Sequence, residues 1–191
     1  MYLCRKIREE MRAVIQRVSH ASVRIVGCGT AAAQQTKGAM DVQPTEGAMD
    51  IQPTEGAMDV VRHIGQGFLV LLGVCNEDTL EDVEWLVKKI ANLRVFDDAE
   101  GVMNRSLQDV QGEVLVVSQF TLYASYKKGN RPSWFRAGSH EHSIPLYEAF
   151  CQQLSEAIGK SVKTGEFGAN MKVELLNDGP VTICMDTRNK E

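Results

Sequence analysis

Two short polar segments stand out because local folding alone does not account for them. Ser118-Gln119-Phe120-Thr121 interrupts an apolar run, and Asn177-Asp178-Gly179-Pro180-Val181-Thr182 separates two β-rich stretches. In isolation the first reads as a strand end whose hydroxyls bond to backbone, and the second as a tight turn joining two strands. Gly-Pro has a further capability, since its peptide bond adopts the cis form at a cost of only about 0.5–1 kcal/mol. A cis bond there would turn neighbouring carbonyls to one side and present a backbone wall with no side chain. The usual catalytic sets are absent: there is no G-x-S-x-G elbow, no H-E-x-x-H and no phosphate-binding loop. No hydroxyl has a histidine and an acid in obvious register, so a serine-protease-like triad is not indicated. His140 and His142 flank Glu141 ahead of a helical pattern, where they read as solvated loop residues rather than metal ligands. The five cysteines are scattered and form no C-x-x-C, which fits a reducing compartment and argues against a disulfide framework or a zinc site. Cys75 and Cys151 lie in apolar patterns and read as small hydrophobes.

The elements that must position these residues follow from periodicity. Ala13–Val26 is rich in β-branched residues with partial alternation, and Val60–Ile64 reads as its returning hairpin strand. Gly67–Val74 is a continuous apolar run of strand length, as expected of a strand covered on both faces. Thr79 or Asp78 caps a helix running to about Leu93, with Val83, Leu86, Val87, Ile90 and Leu93 on one face. Glu113–Leu122 reads as one strand. Ser143, with Pro145 just inside, starts a second helix that turns Leu146, Phe150, Leu154 and Ile158 inward and stops at Gly159. Met171–Leu176 and Val181–Met185 complete the pattern as two more strands. Strands, helix, strand, helix, strands is an α+β order with an antiparallel or mixed sheet, not a repeating βαβ layout.

Between the first two strands lies an internal repeat: GAMDVQPTE, GAMDIQPTE and a truncated GAMDV. Three polar nine-residue copies are too few to bury a core. The stretch at about 28–59 therefore reads as an insertion in a surface loop. The 191 residues otherwise suit one domain, 11–186, with a disordered extension at 1–10 and a tail at 187–191. No apolar run approaches the roughly 18–20 residues that cross a bilayer, and the charged first ten residues do not resemble a secretory signal. Formal net charge is -4, which argues against wrapping a long nucleic-acid duplex but not against gripping one end of an RNA.

The two polar segments together resemble a known family. SQFTL at Ser118–Leu122 and NDGPVT at Asn177–Thr182 are similar to the two signature motifs of D-aminoacyl-tRNA deacylases. MRAVIQRVSHASV at Met11–Val23 is similar to the family's first strand, and IGQGFLVLLGV at Ile64–Val74 with KKIANLRVFDD at Lys88–Asp98 to its next strand and helix. KKGNRPSW at Lys127–Trp134 resembles the family's basic loop, and TGEFGANMKV at Thr164–Val173 its adenine-pocket segment. The resemblance spans Met11 to about Met185 apart from the repeat. It departs from the family in the N-terminal extension and in the insertion.

The resemblance implies a deacylase-like fold with a mixed or antiparallel sheet, or a barrel-like core, and two main helices. It also implies a cytoplasmic homodimer that hydrolyses D-aminoacyl-tRNA at its 3′-terminal adenosine without cofactor or metal. By the same resemblance, a cis Gly179-Pro180 of one subunit gates the other's site, excluding side chains of L configuration. Glycyl-tRNA, having no side chain to exclude, would be a second substrate. Ser118, Gln119, Phe120 and Thr121 would line the catalytic pocket, with the tRNA 2′-hydroxyl activating water. Phe167, Gly168, Ala169 and Met171 would hold the adenine. Lys127, Lys128 and Arg131 would meet phosphates, Thr182 would add a substrate contact, and Arg17 would orient the Gly-Pro element. Two rival readings are a DNA-associated role at replication origins, linked to some eukaryotic members, and an L-specific editing domain of the same fold. DNA is the less expected partner because of the acidic balance, and no membrane partner is expected. Long surface loops cost little closure entropy, so deletion of residues 28–59 should leave a folded, active dimer. Loss of a cooperative melt on deletion would show instead that the insertion is structural.

Overall fold

The computed structural model describes residues 11–27, 59–127 and 129–190. The N-terminal extension and nearly all of the repeat insertion lie outside them. Chain order is β1 (Arg12–Ile25), β2 (Val60–Ile64), β3 (Gly67–Gly73), α1 (Leu80–Ala91), β4 (Arg94–Asp97), β5 (Met103–Ser106), β6 (Glu113–Ser118), a 3₁₀ turn (Phe120–Tyr123), α2 (His140–Ile158), β7 (Lys163–Thr164) and β8 (Met171–Asp186). The result is α+β, with a mixed sheet of order β2-β1-β3-β6-β7 and β8 added along β1. The β3–β6 and β6–β7 pairs are parallel; the others in this sheet are antiparallel. The sheet curls until its ends nearly meet. Arg62 of β2 reaches Thr164 Oγ1 of β7 at 3.0 Å and the Gly165 carbonyl at 3.2 Å.

The curl gives β3 and β6 two apolar faces, which explains their unbroken hydrophobic runs. One face, with Phe68, Val70, Leu72, Val114 and Val116, packs against α1 and α2. The other, with Leu69, Leu115 and Val117, packs inside the curl with Val18, Val23 and Ile64. α1 starts at Thr79, whose N–H and hydroxyl both donate to the Asp82 carboxylate at 2.9 and 3.0 Å. α2 stops at Gly159 in the left-handed region, where a side chain would be strained.

Four expectations need correction. The sixth strand ends at Ser118, and residues 120–123 form a 3₁₀ turn anchored by the buried Tyr123, whose hydroxyl donates to the Gly73 carbonyl at 3.2 Å. α2 begins at His140, capped by Ser139, so Pro145 sits inside the helix rather than at its start. That shift puts His140 and His142 in the first helical turn instead of a loop, with His140 still exposed. His142 is half-buried, its Nε2 3.1 Å from the Asp78 carbonyl. The last two expected strands are one strand, β8, paired antiparallel with β1 on both sides of an unpaired stretch at 178–181. The short pair β4–β5 and the two-residue β7 carry too little periodicity to be seen in sequence. Residues 187–190, set apart in sequence as a tail, pack on the domain. The Thr187 N–H donates to the Met11 carbonyl at 3.1 Å, and Lys190 sits 4.9 Å over the Trp85 ring.

The turn between β3 and α1 is closed by Asp78, which is buried. Its carboxylate accepts from the Cys75 N–H at 2.7 Å and the Cys75 thiol at 3.3 Å. Burial pushes the carboxyl from 3.8 up to about 6, opposed by those two hydrogen bonds and by Arg188 and reinforced by Asp82. A carboxyl that binds its proton more tightly when folded makes the native state less stable as pH rises from about 4 to about 6. Urea denaturation of wild type and Asp78→Asn should therefore show wild type gaining on the variant by roughly 2–3 kcal/mol as pH falls through that window. A pH-independent difference would show that Asp78 is ionised at no unusual cost.

Candidate active site

A cavity of about 380 Å³ opens where the end of β6, the 3₁₀ turn, the start of α2 and the loop before β8 converge. It is lined on one side by Ser118, Gln119 and Phe120, and on the other by Phe167, Gly168, Ala169 and Met171. The sequence separates these two sets by more than forty positions; the parallel β3–β6–β7 ladder brings them together. The Gln119 N–H extends the ladder to the Leu72 carbonyl at 2.7 Å, after which the chain turns into the 3₁₀ segment. The Gln119 side-chain amide donates to the Thr121 hydroxyl. Phe120 is half exposed and meets Trp134 edge to face at 5.4 Å.

The opposite wall is built differently. The Gly165 N–H bonds to the Val116 carbonyl at 2.8 Å, and a turn closed by the Ala169 N–H and the Glu166 carbonyl carries Phe167 over the cavity. Phe167 is fixed edge-on between His140 at 5.5 Å and Tyr147 at 5.9 Å. Met171 lies where a Cβ on Gly165 would come within 2.6 Å of its sulfur, so the absent side chain makes its space.

Not every residue expected at the site lines this cavity. Thr121 lies just behind Gln119, and Thr182, Arg17, Gly179 and Pro180 sit on the far strand pair. Lys127 and Arg131 are exposed on a loop tied at its base by the Ser125–Ser133 bridge, and Lys128 falls outside the described residues. Leu72, Val74, Trp134, Ala137, Gly138, His140 and Ser143 line the cavity without having been expected there. Leu72 and Val74 read in sequence as core, and only the observed start of α2 brings His140 and Ser143 to the wall. Among the described residues no group of three His, Cys, Asp or Glu side chains is placed to hold a metal. Among the described residues no helix is long and apolar enough to cross a membrane.

Gly179 and Pro180 form a second feature. Between the β1 partners Gln16–Thr182 and Val18–Asn177, residues 178–181 bulge out opposite Arg17 alone. Arg17 is 6% exposed. Its Nε donates to the Asp178 carbonyl at 2.9 Å, and Nη1 to the Val95 carbonyl and to Asp97 Oδ1 at 3.3 Å. Asn177 ties the base of the bulge, accepting from the Val181 N–H at 2.9 Å and donating to Thr182 Oγ1 at 3.1 Å. The Gly179-Pro180 peptide bond is cis, and both residues are exposed.

With this arrangement in view, similarity to known proteins decides the family. The profile of the D-Tyr-tRNA(Tyr) deacylase family matches residues 14–186. The chain belongs to that family. Curated relatives named D-aminoacyl-tRNA deacylase include those of Phocaeicola vulgatus, 54% identical over 95% of this chain and all of theirs, and Porphyromonas gingivalis strain W83, 49% identical with the same coverage. A solved structure titled c-Myc DNA Unwinding Element Binding Protein is 37% identical, with a TM-score of 0.69 over 91% of this chain and 97% of that one. A probable eukaryotic D-amino acid tRNA deacylase, only 16% identical, shares the fold with a TM-score of 0.66 over 93% of this chain and 99% of that one. The family match spans both the cavity walls and the bulge.

Arg17 supports the bulge with a planar fork that lysine cannot reproduce. Arg17→Lys should lose about 1–3 kcal/mol of stability, because buried carbonyls are left without donors. Urea denaturation reads this directly, and a variant as stable as wild type would show that the bulge stands without the guanidinium.

Proposed function

We propose that this chain is a D-aminoacyl-tRNA deacylase, which adds water across the ester joining a D-amino acid to the 3′-terminal adenosine of tRNA and releases free D-amino acid and tRNA. The observation that carries the reading is one cavity with an aromatic, base-sized wall opposite Ser118-Gln119-Phe120, in a chain 54% identical to relatives of that name over 95% of its length. Phe167, Gly168, Ala169 and Met171 hold the terminal adenine, whose faces suit apolar contact. Ser118, Gln119 and Thr121 position the ester. Among the described residues no hydrogen bond joins the Ser118 hydroxyl to a histidine or carboxylate, which supports positioning over nucleophilic attack. Backbone N–H groups near Phe120 and Thr121 stabilise the developing oxyanion. The substrate's 2′-hydroxyl assists the attacking water.

Selection for the D configuration comes by exclusion. Gly179 and Pro180 of a second copy enter the cavity and close the space that an L side chain needs. The exposure of both residues and their absence from their own chain's cavity lining support this reading. So does β8, which pairs β1 on one edge and leaves Val173 and Leu176 exposed. Such a gate refuses any L side chain while accepting many D ones, and it passes glycine. Lys127, Lys128 and Arg131 meet the phosphates of the acceptor end, and Thr182 adds a contact from the lent strand. The site works in the cytoplasm, where charged tRNA is used.

Deacylation of D-tyrosyl-tRNA beside L-tyrosyl-tRNA tests the reading, with hydrolysis of the D ester alone expected. Cleavage of only the L ester would point to an L-specific editing domain, and tight duplex-DNA binding without deacylation to a role like that named for the c-Myc element protein. Ser118→Ala should stay within about tenfold of wild type, since it removes neither an acid nor a base. An acyl-serine species in mass spectrometry would refute that. A Cβ on Gly179 would stand 2.8 Å from Val181 Cγ2 and 3.0 Å from Arg17 Nη2, at a φ of +128° that side chains rarely adopt. Gly179→Ala should therefore displace the gate and lower the rate on the D ester by on the order of 100-fold. Unchanged rates on both esters would count against the gate.

A further inference from the structure

The wall of the cavity continues onto a surface that is both aromatic and basic. Phe120 and Trp134 line the cavity, are themselves exposed, and meet edge to face at 5.4 Å. Trp134 leaves a loop pinned at its base by Ser125 and Ser133, whose N–H groups donate to each other's carbonyls at 2.8 and 2.9 Å. Tyr126 directly follows the first of these serines, and Phe135 stands two residues beyond the second. Their side chains are 74% and 75% exposed, and neither joins a hydrophobic core. A turn closed by the Ala137 N–H and the Trp134 carbonyl at 2.9 Å carries Phe135. Beyond it the Gly138 N–H ties the segment to the Val74 carbonyl at 2.9 Å.

Single exposed apolar side chains are ordinary on a protein surface, but a cluster marks a binding face. Among the described residues every exposed Phe, Tyr or Trp lies in this one segment: Phe120, Tyr126, Trp134 and Phe135. The same segment is basic. From Gln119 to Ser139 the sequence carries Lys127, Lys128, Arg131 and Arg136 and no Asp or Glu, in a chain whose formal net charge is -4. Rings interleaved with cations fit one partner above others, a single-stranded nucleic acid, whose bases stack on the rings while its phosphates meet the cations. A second copy of this chain fits less well, because a two-fold contact through this face would bring like charges together.

We propose that Tyr126 and Phe135 are stacking platforms for the unpaired bases that precede the terminal adenosine of the bound tRNA. The inference rests on the reading of the cavity as the adenosine site. It extends that site outward, past Trp134, along the strand that leads into it. Stacking on a ring face is nearly indifferent to base identity, so these contacts hold any unpaired 3′ end and add nothing to the choice of amino acid. They act through binding, so their loss raises KM and leaves kcat nearly unchanged.

The test compares two esters, D-tyrosyl-tRNA and 3′-O-D-tyrosyl adenosine, which lacks every preceding base. On the tRNA, Phe135→Ala and Tyr126→Ala should each raise KM about tenfold, the loss expected for one stacked base, with kcat within about twofold. Tyr126→Phe and Phe135→Tyr keep a ring and should restore the wild-type KM. On the adenosine ester the alanine variants and wild type should have the same kcat/KM. A tRNA with abasic residues in the two positions before the terminal adenosine should raise the wild-type KM and leave that of the doubly substituted variant unchanged. An unchanged KM on tRNA, or an equal loss on both esters, would overturn the proposal. So would a weakened dimer in sedimentation, which would make this face a contact between copies. Absence of wild-type hydrolysis of both esters would instead overturn the reading of the cavity itself.

Discussion

The buried guanidinium of Arg17 is the interaction on which the rest of the arrangement depends. β1 and β8 pair along almost their whole length, yet β8 carries four residues opposite the single position that Arg17 occupies. A bulge of that size leaves carbonyls without ladder partners, and buried carbonyls need donors. Arg17 supplies them, binding the Asp178 carbonyl on one side and β4, through Val95 and Asp97, on the other. β4 is held in turn by Phe96, which stacks on Phe68 of β3 at 5.1 Å. The core thus fixes β4, β4 fixes Arg17, and Arg17 fixes the bulge that turns Gly179 and Pro180 outward.

The cavity follows a similar logic from the other side of the sheet. Parallel pairing of β3, β6 and β7 delivers the Ser118 segment and the loop before β8 to one end of the sheet, and α2 closes the back. Two buried tyrosines hold this frame. Tyr123 anchors the 3₁₀ turn to Gly73, and Tyr147 donates to the Val116 carbonyl at 2.9 Å; burial raises both phenols far above their ordinary range, so they serve as fixed donors. In the proposed mechanism neither half is sufficient. The cavity binds and positions an ester but does not tell its hands apart, and the bulge adds no residue to the lining of its own chain's cavity.

Much of the fold was legible in the sequence because long elements leave long periodic signals. The buried faces of β1, β3, β6 and α1 could be read from apolar spacing, and the αL stop at Gly159 from its residue type. What was hidden depended on contacts between distant segments. Residues 119–122 are as strand-like as those before them, and only the space occupied by Tyr123 beneath Gly73 turns them into a 3₁₀ segment. The Gly-Pro stretch has the composition of a turn, and its conversion into a bulge is made by pairing with β1 on both sides of it. Pro145 suggested a helix start because proline is tolerated there, while Ser139 captured the cap one turn earlier. That shift hid Ser143 and His140 from any list of site residues, although the two signature segments already marked both halves of the proposed machinery.

The exchange of a backbone gate between two copies is tested most directly by complementation. Gly179→Ala damages the gate, and Ala169→Trp fills the cavity, so each variant alone should form a dimer with two defective sites. A mixed dimer, isolated with two affinity tags, would join the intact cavity of one protomer to the intact Gly179-Pro180 of the other. Its predicted rate on D-tyrosyl-tRNA is about half that of wild type, because one of two equivalent sites is complete. A mixed dimer as inactive as its two parents would contradict a gate supplied across the interface.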